Sequence, residues 1–131
     1  MKPADYLESV RNFLLTDLRI ASHQIVREFE EANKAYIRAR LTLSDDSLLE
    51  FSEYIEALSE SEIRISDYSY HWQDKEGNFL RRWDNSPHFP KLKNAPHHVH
   101  TPTGEAEEEV APGGPVNIFQ VMDEITASFD K

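Results

Sequence analysis

Between residues 35 and 57 the chain alternates apolar and polar side chains with a period of two, broken once by a short polar turn. Ile37, Ala39, Leu41 and Leu43 fall on one side, and Arg38, Arg40 and Thr42 on the other. After SDDS at 44–47, Leu49, Phe51, Glu53 and Ile55 alternate with Glu50, Ser52, Tyr54 and Glu56. A strand sends successive side chains to opposite faces, so this stretch predicts an antiparallel hairpin.

The pattern extends both ways. SHQIVREFEE is expected to pair with KAYIRARLTL across a turn at Ala32–Asn33, and a turn around 59–61 leads into EIRISDYSYHWQ. In that strand Ile63 and Ile65 are expected to face away from Arg64, Ser66, Tyr68, Tyr70 and Trp72. QDKEGN then turns at Gly77, which takes a left-handed conformation without a Cβ penalty, into NFLRRWDN. Alternation there places Arg82 with Asp84, opposite Arg81 and Trp83.

Helical spacing appears at the two ends. Tyr6, Leu7, Val10, Phe13, Leu14 and Leu18 form a stripe behind Pro3. Asn117, with Gln120 three residues on, caps a second stripe of Ile118, Val121, Met122, Ile125 and Phe129. Between Pro87 and Pro102 four prolines remove backbone donors and predict an extended surface loop. Residues 101–115 are acidic, hold Gly and Pro, and predict a mobile linker. The expected fold is α+β, one domain over residues 1–131. Residues 1–100 hold a helix packed on one face of a meander of about five antiparallel strands, and a His-rich loop. Residues 101–116 form the flexible linker and 117–131 the C-terminal helix.

The chain has no cysteine, which removes disulfides, thiolate metal sites and cysteine nucleophiles, and fits a reducing cytoplasm. No apolar run in MKPADYLESV suits a signal peptide or membrane span, so a soluble cytoplasmic domain is expected. The net charge of −10 disfavours bulk binding to nucleic acid. Residues 64–100 nevertheless carry six cations against four acids, which allows a local anion-attracting face.

Residues 71–100 hold five of the six histidines and both tryptophans. Imidazoles titrate near neutrality, and two of them with a cation suffice to cleave RNA through its own 2′-hydroxyl. His71 and one of His88, His97, His98 or His100 are candidates to exchange the protons. Arg82 would neutralise the phosphate and Asp84 would orient an imidazole or the arginine. Tyr70, Trp72 and Trp83 could stack bases, with Arg81 as a further substrate contact. The plainer reading makes these ordinary cross-strand pairs and loop residues. A metal site is the other alternative: in an extended segment His98 and His100 share a face, and with His88 or Asp84 they could hold zinc. That spacing is permissive, so no cofactor is expected. There is no glycine-rich phosphate loop, nucleophile elbow or dinucleotide fingerprint.

The run from residue 67 to 100 closely resembles the signature of the TumE family, small toxins of bacterial and archaeal toxin–antitoxin pairs. Its pattern is met by Tyr68, Tyr70, His71, Trp72 and Gln73, by Gly77 and Asn78, and by Arg82, Trp83, Asp84, Asn85, Pro87 and His88. Pro96, His97, His98 and His100 complete it. Phe89 stands where the pattern often has a second histidine. The resemblance implies a toxin whose partner is a cognate antitoxin, a small DNA-binding protein, with no membrane and with homo-oligomerisation open. Combined with the residue types, it leads to an RNA-cleaving toxin using histidine acid–base chemistry. The alternatives are a non-enzymatic module whose His/Trp/Arg edge docks a protein, and a metal-dependent hydrolase.

Overall fold

The computed structural model describes residues 1–87, 91, 94–102 and 108–129. Helix α1 spans Pro3–Thr16. Strands β1 (Ile20–Glu30), β2 (Lys34–Leu43), β3 (Leu48–Ala57), β4 (Ile63–Gln73) and β5 (Phe79–Asp84) follow. Then come β6 (His98–Pro102), β7 (Glu108–Pro112) and helix α2 (Ile118–Ala127). The strands lie side by side in chain order and every neighbouring pair is antiparallel.

The α+β class, the antiparallel meander and the two terminal helices match the expectation from sequence. The sheet has seven strands rather than about five. β6 and β7 occupy the stretches read as a proline-stiffened loop and a mobile linker. The prolines do not prevent this, because Pro102 and Pro112 end their strands and Pro96 precedes β6, where little ladder bonding is lost. Gly77 has φ +87° in the β4–β5 turn, as expected of the left-handed position. Asp74 Oδ1 accepts from the backbone N–H of both Glu76 and Asn78 there.

One expectation is corrected. Ile63 and Ile65 share a face with Tyr68, Tyr70 and Trp72 instead of opposing them. Tyr54 pairs with Asp67 while Ile55 pairs with Ile65, so Ser66 is an extra residue in β4. A β-bulge of this kind resets the alternation, which simple counting by twos cannot register.

Both helices pack on the same sheet face. Tyr6, Leu7, Val10 and Leu14 from α1 and Ile118, Val121, Met122 and Ile125 from α2 bury against the apolar side of β2, β3 and β4. Phe119 bridges the helices through edge contacts with Tyr6 and Phe13. Asn117 and Gln120 form the capping box anticipated for α2. Leu18 falls outside the α1 stripe, beyond the helix end, and is 94% exposed. Glu53 is the exception in this core. It is fully buried and accepts from Tyr6 Oη at 2.7 Å, Tyr70 Oη at 2.6 Å and the Ile118 N–H at 2.8 Å.

Candidate active site

Antiparallel partners carry their side chains to the same side, so the register converts sequence alternation into rows across the sheet. On the face away from the helices, one row reads Gln24, Arg40, Glu50, His71, Arg82 and His100. The next reads Arg27, Arg38, Ser52, Ser69, Asp84 and His98. Arg82 is therefore flanked by His71 on β4 and His100 on β6, and Asp84 lies beside His98.

These residues form a connected polar network. Arg82 Nε donates to Asp84 Oδ2 at 3.0 Å, and Arg82 Nη2 lies 3.1 Å from His100 Nε2. Arginine can only donate, so His100 accepts through Nε2. His100 Nε2 is also 3.4 Å from Asp84 Oδ2, and His98 Nε2 is 2.7 Å from Asp84 Oδ1. His98 Nδ1 lies 2.8 Å from the Pro96 carbonyl, which only accepts, so Nδ1 carries a proton. Ser86 completes the ring, donating to Asp84 Oδ1 from its N–H and its hydroxyl.

Asp84, His98 and His100 are buried, whereas the Arg82 side chain keeps 34% of its surface. Burial pushes the Asp84 carboxyl up. The two Ser86 hydrogen bonds and the positive charges of His98 and Arg82 outweigh it, so the group is held below the usual carboxylate range. Asp84 is accordingly an anion at neutral pH that anchors the guanidinium.

The ligand atoms of Asp84, His98 and His100 all lie within 4.8 Å of one another, which is the donor set of a three-ligand metal site. The Pro96 carbonyl on His98 Nδ1 is the kind of contact that aims the opposite ring nitrogen at a metal. The Arg82 guanidinium, however, already contacts the same carboxylate oxygen and the same His100 nitrogen. A divalent ion would have to displace that cation.

Beside the network the sheet face is hollowed. A cavity of about 460 Å³ is lined by Arg38, Glu50, Ser52, Ser69, His71 and Arg82. A neighbour of about 420 Å³ continues past His71 to Arg40 and His23, and another of about 310 Å³ runs past Arg82 to Asp84 and Ser86. His71 and Arg82 each line two of the three.

A family comparison draws on this same chain: the family model described as Toxin TumE matches residues 10–129. The chain belongs to the TumE toxin family. Searches of the curated proteins and of the solved structures return no match. Membership in a toxin family implies an antitoxin partner. No helix among the described residues is long and apolar enough to cross a membrane.

The TumE signature divides between the two sheet faces. His71, Arg82, Asp84, His98 and His100 gather on the helix-free side. His97 does not join them: its Nδ1 meets Tyr68 Oη at 2.7 Å, and it shares a separate cavity with Val116 and Gln120. Burial, then the nearby His98 charge, lower its pKa. His88 lies outside the described residues. The expected base-stacking residues are placed against that role. Tyr70 is fully buried on Glu53, and Trp83 is 3% exposed with its indole N–H on Glu124. Trp72 packs against the core and donates to Ser47, while Arg81 lies over Trp83. The signature residue Asn85 is structural, bonding the Tyr68 N–H and the Ser66 carbonyl and so pinning the bulge. Two features escaped sequence reading. Ser86 clasps Asp84, a role detectable only as a hydroxyl two residues after an acid. Phe29, Tyr36 and Tyr54 form an aromatic cluster on the helix-free face, and their alternation with core positions was the available signal.

Proposed function

We propose that this TumE-family toxin is a metal-independent endoribonuclease. The observation that carries the reading is Arg82 held between two imidazoles, His71 and His100, beside an open groove. His71 takes the proton of the RNA 2′-hydroxyl, whose oxygen attacks the adjacent phosphorus. Arg82 neutralises the charge that builds on the non-bridging oxygens. Once a phosphate oxygen replaces Nε2 as the guanidinium's partner, His100 takes a proton at Nε2 from solvent, and it passes that proton to the 5′-oxygen as the bond to phosphorus breaks. The products are a 2′,3′-cyclic phosphate and a 5′-hydroxyl. Asp84 and His98 position the arginine.

The test is cleavage of a labelled single-stranded RNA by the purified chain in excess EDTA. Wild type is expected to cut, with a rate that peaks between an acidic and a basic limb. His71→Ala and Arg82→Gln are each expected to lower kcat by about 10²-fold or more, in the range for acid–base and oxyanion groups. Full activity in both variants would sink the proposal. The Asp84–His98–His100 triangle favours a second reading, a metal-dependent hydrolase. Activity that EDTA abolishes and zinc restores would select it.

A further inference from the structure

The same face carries features that the reaction centre leaves unused. Across the two polar rows lie four arginines, Arg27, Arg38, Arg40 and Arg82, against two carboxylates, Glu50 and Asp84. Arg27 stands directly opposite Arg38, and like charges in that position repel. Arg38 and Arg40 share the single carboxylate of Glu50, and among the described residues Arg27 has no acidic partner. The nearest other acids of β1, Glu28 and Glu30, turn to the helix face, where Arg11 binds both. The fold thus separates these acids from the arginines, leaving a cationic end on a chain of net charge −10.

Two residues further along the strands, the next row is aromatic on β1–β3 and passes to Asp67 on β4. Phe29, Tyr36 and Tyr54 are opposite neighbours on β1, β2 and β3. Phe29 stacks on Tyr36 at 5.7 Å between centroids, and Tyr54 closes the cluster at 6.0 and 6.2 Å. All three are partly exposed rather than buried. Strand spacing and rise place this cluster roughly 15 Å from His71, with the arginine pair between them.

Cations beside aromatic faces, at a distance of several nucleotides from a phosphate-handling centre, fit one ligand class. We infer that the helix-free face binds single-stranded RNA across β1–β5, with backbone phosphates at Arg27, Arg38 and Arg40 and bases stacked on Tyr36 and Tyr54. The inference rests on the ribonuclease reading for its direction, and names the substrate class as an unpaired strand longer than the scissile dinucleotide. Paired bases would hide the faces that the tyrosines need. A folded protein partner is the competing occupant, but the repelling Arg27–Arg38 pair, beside a row that runs from Arg40 to Arg82, favours a regularly spaced polyanion.

The experiment is fluorescence anisotropy with the full chain and a 2′-O-methyl hexanucleotide, which binds but lacks the attacking hydroxyl. The matching dinucleotide is the short reference. Wild type is expected to hold the hexamer at least ten-fold tighter than the dimer. Tyr36→Ala is expected to lose about ten-fold of hexamer affinity, within the range for one stacked base. Arg27→Gln, an exposed change that leaves the core untouched, is expected to reduce the salt slope of log K by about 0.7. Equal affinity for the two lengths, or variants that bind the hexamer like wild type, would overturn the inference. So would variants that lose a partner protein while keeping the RNA. Cleavage with unaltered hexamer binding in the variants defeats this inference and leaves the ribonuclease reading standing. Patch-dependent binding without cleavage of the unmodified strand does the reverse.

Discussion

At the residue scale Asp84 ties the candidate centre together. One carboxylate takes hydrogen bonds from Ser86, holds Arg82 and lies against His98, so its removal unfastens several groups together. Its folded pKa is depressed, so the stability it contributes is present above the unfolded carboxylate value of about 3.9 and is lost as pH falls through the folded value. Asp84→Asn keeps the shape and removes the charge. We expect it to destabilise the protein by about 3–5 kcal/mol at pH 7, the scale for breaking a buried charged network. The loss should shrink as pH falls through the depressed folded value, where wild type becomes protonated too. Melting temperatures of both proteins from pH 3 to pH 7 check this, and a gap independent of pH would contradict it.

At the scale of elements, turns and bulges decide which side chains meet. Gly77 has a positive φ, and a Cβ built there would come no closer than 3.8 Å to Gln73 Oε1. Space is therefore not the obstacle. Gly77→Ala should cost about 1–2 kcal/mol from backbone strain alone, and Gly77→Asn less, because asparagine tolerates the left-handed region. Urea midpoints of the three proteins measure the difference, and equal midpoints would refute the strain argument. This hairpin was legible in the sequence because a glycine at a turn and a period of two are local signals. It set Arg82 and Asp84 on one face correctly. The bulge at Ser66 was not legible: no composition marks it, and its existence depends on β3 pairing with both halves of β4. The bulge matters for the site, because counting by twos puts Tyr70 and Trp72 opposite Ile63 and Ile65, whereas the extra residue sends them to the core. β6 was hidden for a related reason. Prolines argue against a strand only in its interior, and whether Pro96 and Pro102 are interior is decided by the partner strands, β5 and β7.

At the scale of the whole molecule, both helices and the sheet meet at Glu53. Its carboxyl accepts from Tyr6 of α1, Tyr70 of β4 and the first N–H of α2, so one polar group in an apolar core orients three elements. The helix N-terminus suits a carboxylate, yet full burial dominates and raises the pKa above the usual carboxylate range, with the three hydrogen bonds opposing. A raised folded value means that the contribution is complete below the unfolded pKa of about 4.3 and is lost as pH rises through the folded value. Asp84 and Glu53 thus pull in opposite directions, one failing in acid and the other weakening toward neutrality. Glu53→Ala takes the acceptor from three buried donors, at about 1–3 kcal/mol for each left unpaired, with Tyr70 Oη keeping only the Val116 carbonyl at 3.4 Å. A loss of even ~3 kcal/mol is a large part of the ~5–15 kcal/mol that holds a domain together. Glu53→Gln keeps an acceptor and cannot ionise, so it should destabilise less and should lack the decline in stability from pH 4.5 upward that this carboxyl gives wild type. Urea unfolding of wild type and both variants at pH 4.5 and pH 8 separates the effects. If wild type and Glu53→Gln respond to pH in parallel, the Glu53 pKa is the same in the folded and unfolded states and burial does not raise it.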